Sequence, residues 1–152
     1  MQVSVVTRAQ LEKYTPVSEP ETPTGYSYTD RLEATPGSDL DSIRKEGFSQ
    51  LNSLGRKTAL AGTGSAMTRG AAFGVGIVAA VKLLSAMGGT GALGPAVATA
   101  AVAGAFYVSH KGLEGWEQRL KSDTREQVQF LRHLDQAQEK LTGVPAQPWL
   151  FF

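Results

Sequence analysis

Apolar positions along this chain recur with a spacing that changes several times, and the changes mark its elements. Val3, Val5 and Thr7 alternate, the period of a strand that could add to a sheet edge. From Leu40 the spacing is helical: Leu40, Ile43, Gly47, Leu51 and Leu54 lie three or four apart, a single apolar stripe with one small residue where a neighbour can approach. Ser38 stands as the N-cap, and Asp39 and Asp41 fall in the first turn, where the helix dipole favours negative charge. An amphipathic helix is therefore predicted over 38–62. Gly55-Arg56-Lys57 either interrupts or loosens it.

Polarity then almost vanishes. From Gly70 to Ser109 the chain runs forty residues with Lys82 as its single formal charge. Gly88, Gly89, Gly91, Gly94 and Pro95 crowd the middle of this run, a strong turn signal with proline placed to begin a new helix. A helical hairpin over 66–110 is predicted, its first limb Ala66 to Met87 and its second beginning at Pro95. At 1.5 Å per residue the limbs reach roughly 30 Å and 24 Å.

Beyond Lys111-Gly112 the apolar positions Leu113, Trp116, Leu120, Thr124, Val128, Leu131, Leu134 and Leu141 form an approximately heptad stripe. The segment is otherwise highly charged, and Glu117 with Lys121 and Glu126 with Arg132 read as a solvated outer face. An amphipathic helix over 113–142 is predicted, stopped by Thr142-Gly143 and Pro145. Residues 143–152 form a tail that carries Trp149, Phe151 and Phe152, aromatic anchors that would be poorly soluble if left exposed.

Residues 1–37 carry Pro16, Pro20, Pro23 and Pro36 among threonines, serines and glutamates, which opposes a helix and leaves little apolar surface to bury. That composition fits an unstructured leader. The expectation favoured here is an extended arm laid over a neighbouring subunit or another partner, anchored by Tyr26 and Tyr28. The fold class expected is thus mainly α: an extended N-terminal arm, an amphipathic helix, a Gly/Ala-rich helical hairpin and a C-terminal amphipathic helix.

Small residues in the centre fall four apart: Ala66, Gly70 and Gly74; Ala72, Gly76 and Ala80; Ala96, Ala100 and Gly104. Such rows strip bulk from a helix face and let two backbones come close. Gly70, Gly74, Gly76, Ala80, Ala100 and Gly104 are accordingly the candidate helix-packing residues. A Gly/Ala-rich segment also generates these spacings by chance. Larger residues at other positions, Phe73, Ile77, Val81 and Leu84, favour deliberate packing.

Charge sharpens the picture. The 15 basic and 14 acidic residues nearly cancel, which argues against a general nucleic-acid binder. Their placement is uneven: no acid lies between Glu46 and Glu114, where Arg56, Lys57, Arg69, Lys82 and Lys111 are the formal charges. Length and lack of acids favour membrane insertion of the hairpin. Against it, alanine and glycine are weakly lipophilic, and Lys82 would cost roughly 2.5–3.5 kcal/mol at mid-membrane unless its stem snorkels. Alternatively Lys82 faces a lumen or interface in an oligomer. Tyr107 and Trp116 lie where an aromatic belt is expected, although Trp116 also suits a heptad core. Met1 to Arg8 lacks a basic start before a long apolar run, so a cleavable secretory signal is not expected.

Catalytic chemistry finds nothing specific to rest on. Gly89-Thr90-Gly91-Ala92-Leu93-Gly94 matches G-x-G-x-x-G formally, with Glu114 twenty residues on, but a dinucleotide site needs a strand before the loop, and helix precedes it here. His110 and His133 are separated by most of a helix, cysteine is absent, and no serine sits in a nucleophile elbow. No catalytic residue, cofactor, metal, specific nucleic acid or small-molecule ligand is expected.

Assembled in this order, the Gly/Ala hairpin at 66–110 between heptad-like helices at 38–54 and 113–142 resembles the small hydrophobic ejection (internal) proteins of short-tailed bacteriophages. The likeness is architectural and carries over no functional residue. It implies a homo-oligomeric virion protein, in contact with other virion or envelope proteins along its arm, released to meet membrane lipid and form part of a channel across the host envelope. A holin or pore-forming toxin, or a purely structural subunit that packs through its hairpin, is the alternative.

Overall fold

The computed structural model describes residues 5–16, 27–89 and 91–145. Four helices follow one another: α1 (Arg8–Glu12), α2 (Tyr28–Ala34), α3 (Leu40–Met87) and α4 (Leu93–Thr142). The protein is mainly helical, and α3 and α4 form a long antiparallel hairpin. Packing divides the chain into two units, residues up to Gly55 with those from Lys121 in the first, and Arg56–Leu120 in the second.

Two long helices replace the four shorter ones expected. The predicted 38–62 helix and first limb are one helix of 48 residues, and the second limb and the 113–142 helix are one of 50. Gly55, Gly112 and Gly115 lie inside these helices with open space where a Cβ would stand. Glycine costs about 1 kcal/mol in a helix interior, too little to break one that packs along its length. Helix α3 also begins one residue later than expected. Asp39, not Ser38, is its cap: the Asp39 carboxylate accepts from the Ser42 amide at 2.8 Å, and the Ser42 hydroxyl is 3.3 Å from the Asp39 amide. Those contacts hold the Asp39 carboxyl below its ordinary pKa.

The first unit has a conventional core of Val6, Leu11, Tyr14, Tyr28, Leu32, Leu40, Ile43, Phe130, Leu131, Leu134 and Ala137. The extended arm is thereby corrected over its described part: it forms two short helices packed on its own chain. Leu11 and Leu32 are fully buried, and Tyr28 packs on Tyr14 and Phe130 with ring centroids 5.8 Å apart in each case. Tyr28 thus anchors a core, not a partner's surface; Tyr26 lies outside the described residues. Val3 lies outside the described residues; among those described, the alternating start gives an isolated antiparallel bridge, Thr7 with Asp39, and no strand, with Val6 buried and Val5 exposed. Arg8 ties the segment down, donating to the Leu32 and Thr35 carbonyls at 2.6 and 3.0 Å, where the C-terminus of α2 favours a cation.

The C-terminal stripe is only partly as expected. Leu120, Leu131 and Leu134 are buried, yet Trp116 and Leu141 are exposed, while Phe130 and Ala137 join the core. Glu126 belongs to no solvated face: its carboxylate is buried against Arg31 at 2.7 Å. The described residues provide a tyrosine, Tyr28, that the stripe alone could not have placed against it.

Candidate functional site

The second unit buries little. In it α3 and α4 meet along a seam of small residues, with Ala61, Ser65, Ala79, Ala96 and Leu120 buried. Cross-helix contacts define its register. Ser65 Oγ lies 3.0 Å from His110 Nδ1, and Lys82 Nζ donates to Thr99 Oγ1 at 3.3 Å. A Cβ on Gly62 would stand 3.5 Å from the Glu117 carboxylate, and one on Gly64 would stand 3.4 Å from Leu113.

Most of the packing residues inferred from spacing lie outside this seam. Gly70, Gly74, Ala80 and Gly104 are exposed, and only Gly76 and Ala100 are half-buried. A Cβ on Gly70, Gly74, Gly76 or Gly104 would meet nothing within 4 Å. Gly70, Gly74 and Gly104 therefore face away from the hairpin's own seam, whereas Ala96, which heads the third row, is buried in it. Every face of such a segment carries small residues, so spacing could not select the one that meets α4.

The turn depends on particular glycines. The Gly88 amide donates to the Leu84 carbonyl at 3.0 Å, and Gly89 adopts φ +75°, the left-handed region in which a Cβ is costly. A Cβ on Gly91 would come within 3.1–3.2 Å of Ser85 and Ala86 backbone. Gly94 and Pro95 do not precede α4 but lie in its first turn, since the helix begins at Leu93. Thr90 and the aromatic anchors Trp149, Phe151 and Phe152 lie outside the described residues.

Most large side chains of the apolar stretch point outward. Phe73, Leu84 and Met87 are 74%, 69% and 81% exposed, and Ile77, Val81, Leu93, Val97 and Val108 are exposed with them. Both long helices contain a window long and apolar enough to cross a membrane, and only 6% of each window is buried within the protein. An ordinary core helix would have buried that surface.

A polar collar closes the stretch. Arg69 immediately precedes it, and His110, Lys111 and Glu114 follow it. Lys111 donates to the Glu114 carboxylate at 2.8 Å, and His110 Nε2 is 3.9 Å from the same oxygen. The hydrogen bond with Lys111 leads the forces that hold the Glu114 pKa below the ordinary carboxylate value; the reciprocal bond raises Lys111. Arg69 makes no hydrogen bond or ion pair among the described residues.

Two grooves flank the collar and share Arg69, Phe73, His110 and Glu114. One also includes Gly62, Ser65, Ala66, Gly70 and Glu117. The other is completed by Ala72, Ala103, Gly104, Tyr107 and Lys111. Tyr107 is 56% exposed beside the second groove. Sequence reasoning singled out Tyr107 and Gly104 separately and named Arg69 only as one of the formal charges, because a lone arginine next to an apolar run carries no pattern that would place it in one groove with them.

Comparison with protein families, with characterised proteins and with solved structures finds no match to this chain.

Proposed function

We propose that Gly70–Ser109 is a membrane-inserting helical hairpin. The carrying observation is that its large apolar side chains are turned outward while Ala79 and Ala96 are buried in the seam between its limbs. In water such a surface is unfavourable by about 25 cal/mol for each Å² of apolar area, whereas lipid chains or another apolar protein surface would cover it. Gly70–Met87 spans roughly 27 Å as a helix, close to the thickness of a bilayer's hydrocarbon core. The charged collar follows at one end, and Lys82 is six residues from the turn, its ammonium satisfied in part by Thr99.

The role that fits this reading is an oligomeric virion protein of the phage ejection type, whose hairpins contribute to a channel across the host envelope. The outward glycines favour a second reading alongside it, in which the same face packs against further copies of the chain.

Because the chain has no cysteine, a single Ile77→Cys carries a polarity-sensitive fluorophore without further substitution. On mixing full-length protein with phosphatidylcholine vesicles, the emission should shift to the blue and become inaccessible to an aqueous quencher. An unshifted, fully quenched probe on vesicle-bound protein would reject insertion. Recovery of the protein in several copies from purified virus particles tests the ejection role; its absence from particles, with lysis on cytoplasmic expression alone, would favour a holin.

A further inference from the structure

The second collar groove changes character along the helices. At one end stand Arg69, His110, Lys111, Glu114 and the exposed Tyr107; at the other, small residues form its floor, with Ala72 on α3 and Gly104 on α4. A Cβ on Gly104 would meet nothing within 4 Å, so the floor is open. The polar end is where the apolar stretch stops, and the apolar end runs into it. A groove graded in this way matches one kind of ligand, a molecule with an anionic head and a hydrocarbon tail.

We infer that this groove binds an anionic phospholipid, its headgroup phosphate against Arg69 and Lys111 and an acyl chain along Ala72 and Gly104. The proposal rests on the insertion reading, which brings the collar to the level of the headgroups. Arg69 is the main determinant: it makes no ion pair within 4.0 Å among the described residues, although the Glu114 carboxylate of the same groove feels its charge, and guanidinium geometry suits two phosphate oxygens at once. Lys111 is shared with Glu114, whose carboxylate must release it to the phosphate. Tyr107 supplies a hydroxyl at the same level, and its ring covers the tail beside Phe73.

Partition of full-length protein into phosphatidylcholine vesicles with and without phosphatidylglycerol, at equal total lipid, tests this. The wild-type protein should prefer the anionic vesicles, and Arg69→Gln should lower that preference about fivefold, the weight of one cation at an anionic surface. Arg56→Gln removes the same charge roughly 20 Å along α3, beyond a Debye length of about 8–10 Å, and should retain most of the preference. Gly104→Leu fills the floor without changing charge and should weaken the preference as well.

Equal losses in Arg69→Gln and Arg56→Gln would overturn the groove and leave only diffuse attraction; so would no loss in either. The fluorophore at position 77 separates the two readings. A buried probe on both vesicle types without lipid preference overturns the groove and retains insertion. A water-exposed probe with an Arg69-dependent preference overturns insertion and retains the groove.

Discussion

The Arg31 guanidinium donates to the Glu126 carboxylate at 2.7 Å and to the Gln127 side-chain oxygen at 3.2 Å, joining α2 to α4. Gln127 in turn donates to the Gly47 carbonyl at 3.1 Å, which brings α3 into the same network. The Glu126 side chain is only 2% exposed and that of Arg31 18%. A segment that composition assigns to an unstructured leader is thus fastened to both long helices by polar contacts that water hardly reaches.

Arg31→Met should therefore be costly, about 3 kcal/mol, because it withdraws the guanidinium from a carboxylate already removed from water. Replacing both residues, Arg31→Met with Glu126→Met, should restore much of the loss, since neither charge then remains buried. Urea unfolding followed by far-ultraviolet circular dichroism measures both. A double variant no more stable than the single one would contradict the buried-pair account.

Two glycines of α3 should respond oppositely to alanine. At Gly55 a Cβ meets open space, so Gly55→Ala should stabilise the protein by up to about 1 kcal/mol through helix propensity. At Gly47 the new Cβ would lie 2.8 Å from Leu131 Cδ2, and Leu131 is buried with little room to yield. Overpacking of about 1–3 kcal/mol then opposes the same propensity gain, and Gly47→Ala should be destabilising. Unfolding midpoints that rise equally in both variants would show that the close approach is not needed.

Alkaline solution should weaken the first unit. Burial, and then the neighbouring Tyr14, push the Tyr28 pKa well above its ordinary value of 10.0. The folded state keeps the phenol proton that the unfolded state loses, so this contribution is complete below pH 10.0 and declines as pH rises beyond it. Tyr28→Phe should flatten the decline measured by unfolding midpoints across that range. An unchanged slope would place the titrating group elsewhere.

The outward glycines and the turn glycines should separate assembly from folding. Gly74→Leu adds bulk where nothing lies within 4 Å, so helix content and the seam should survive while oligomer mass in detergent falls. Gly91→Val instead drives a side chain against Ser85 and Ala86. It should increase hydrogen exchange at the Gly88 and Gly89 amides, whose bonds to Leu84 and Ala86 close the turn. An unchanged oligomer mass in Gly74→Leu would count against glycine-mediated contact between copies.

The helical class, the position of the turn and the boundaries of the apolar stretch are legible in the order of residues. These follow from local facts: a three-to-four spacing, a run of glycines before a proline, and forty residues with one charge. Leu40, Ile43 and Gly47 were also legible as one inward face, because the polar residues around them left no other choice.

Continuity and direction come from packing in space. Whether Gly55 or Gly112 ends a helix depends on whether α3 and α4 support each other through them, and about 1 kcal/mol of local propensity cannot settle that. Which small residues face the seam was undetermined where all faces are small, and contact selected Ala61, Ser65, Ala79 and Ala96 over Gly70, Gly74 and Gly104. Arg31 and Glu126 lie 95 residues apart, and nothing in the spacing of either reveals the other. The apolar stretch could be read from neighbours in sequence, but its outward orientation could be read only from neighbours in space.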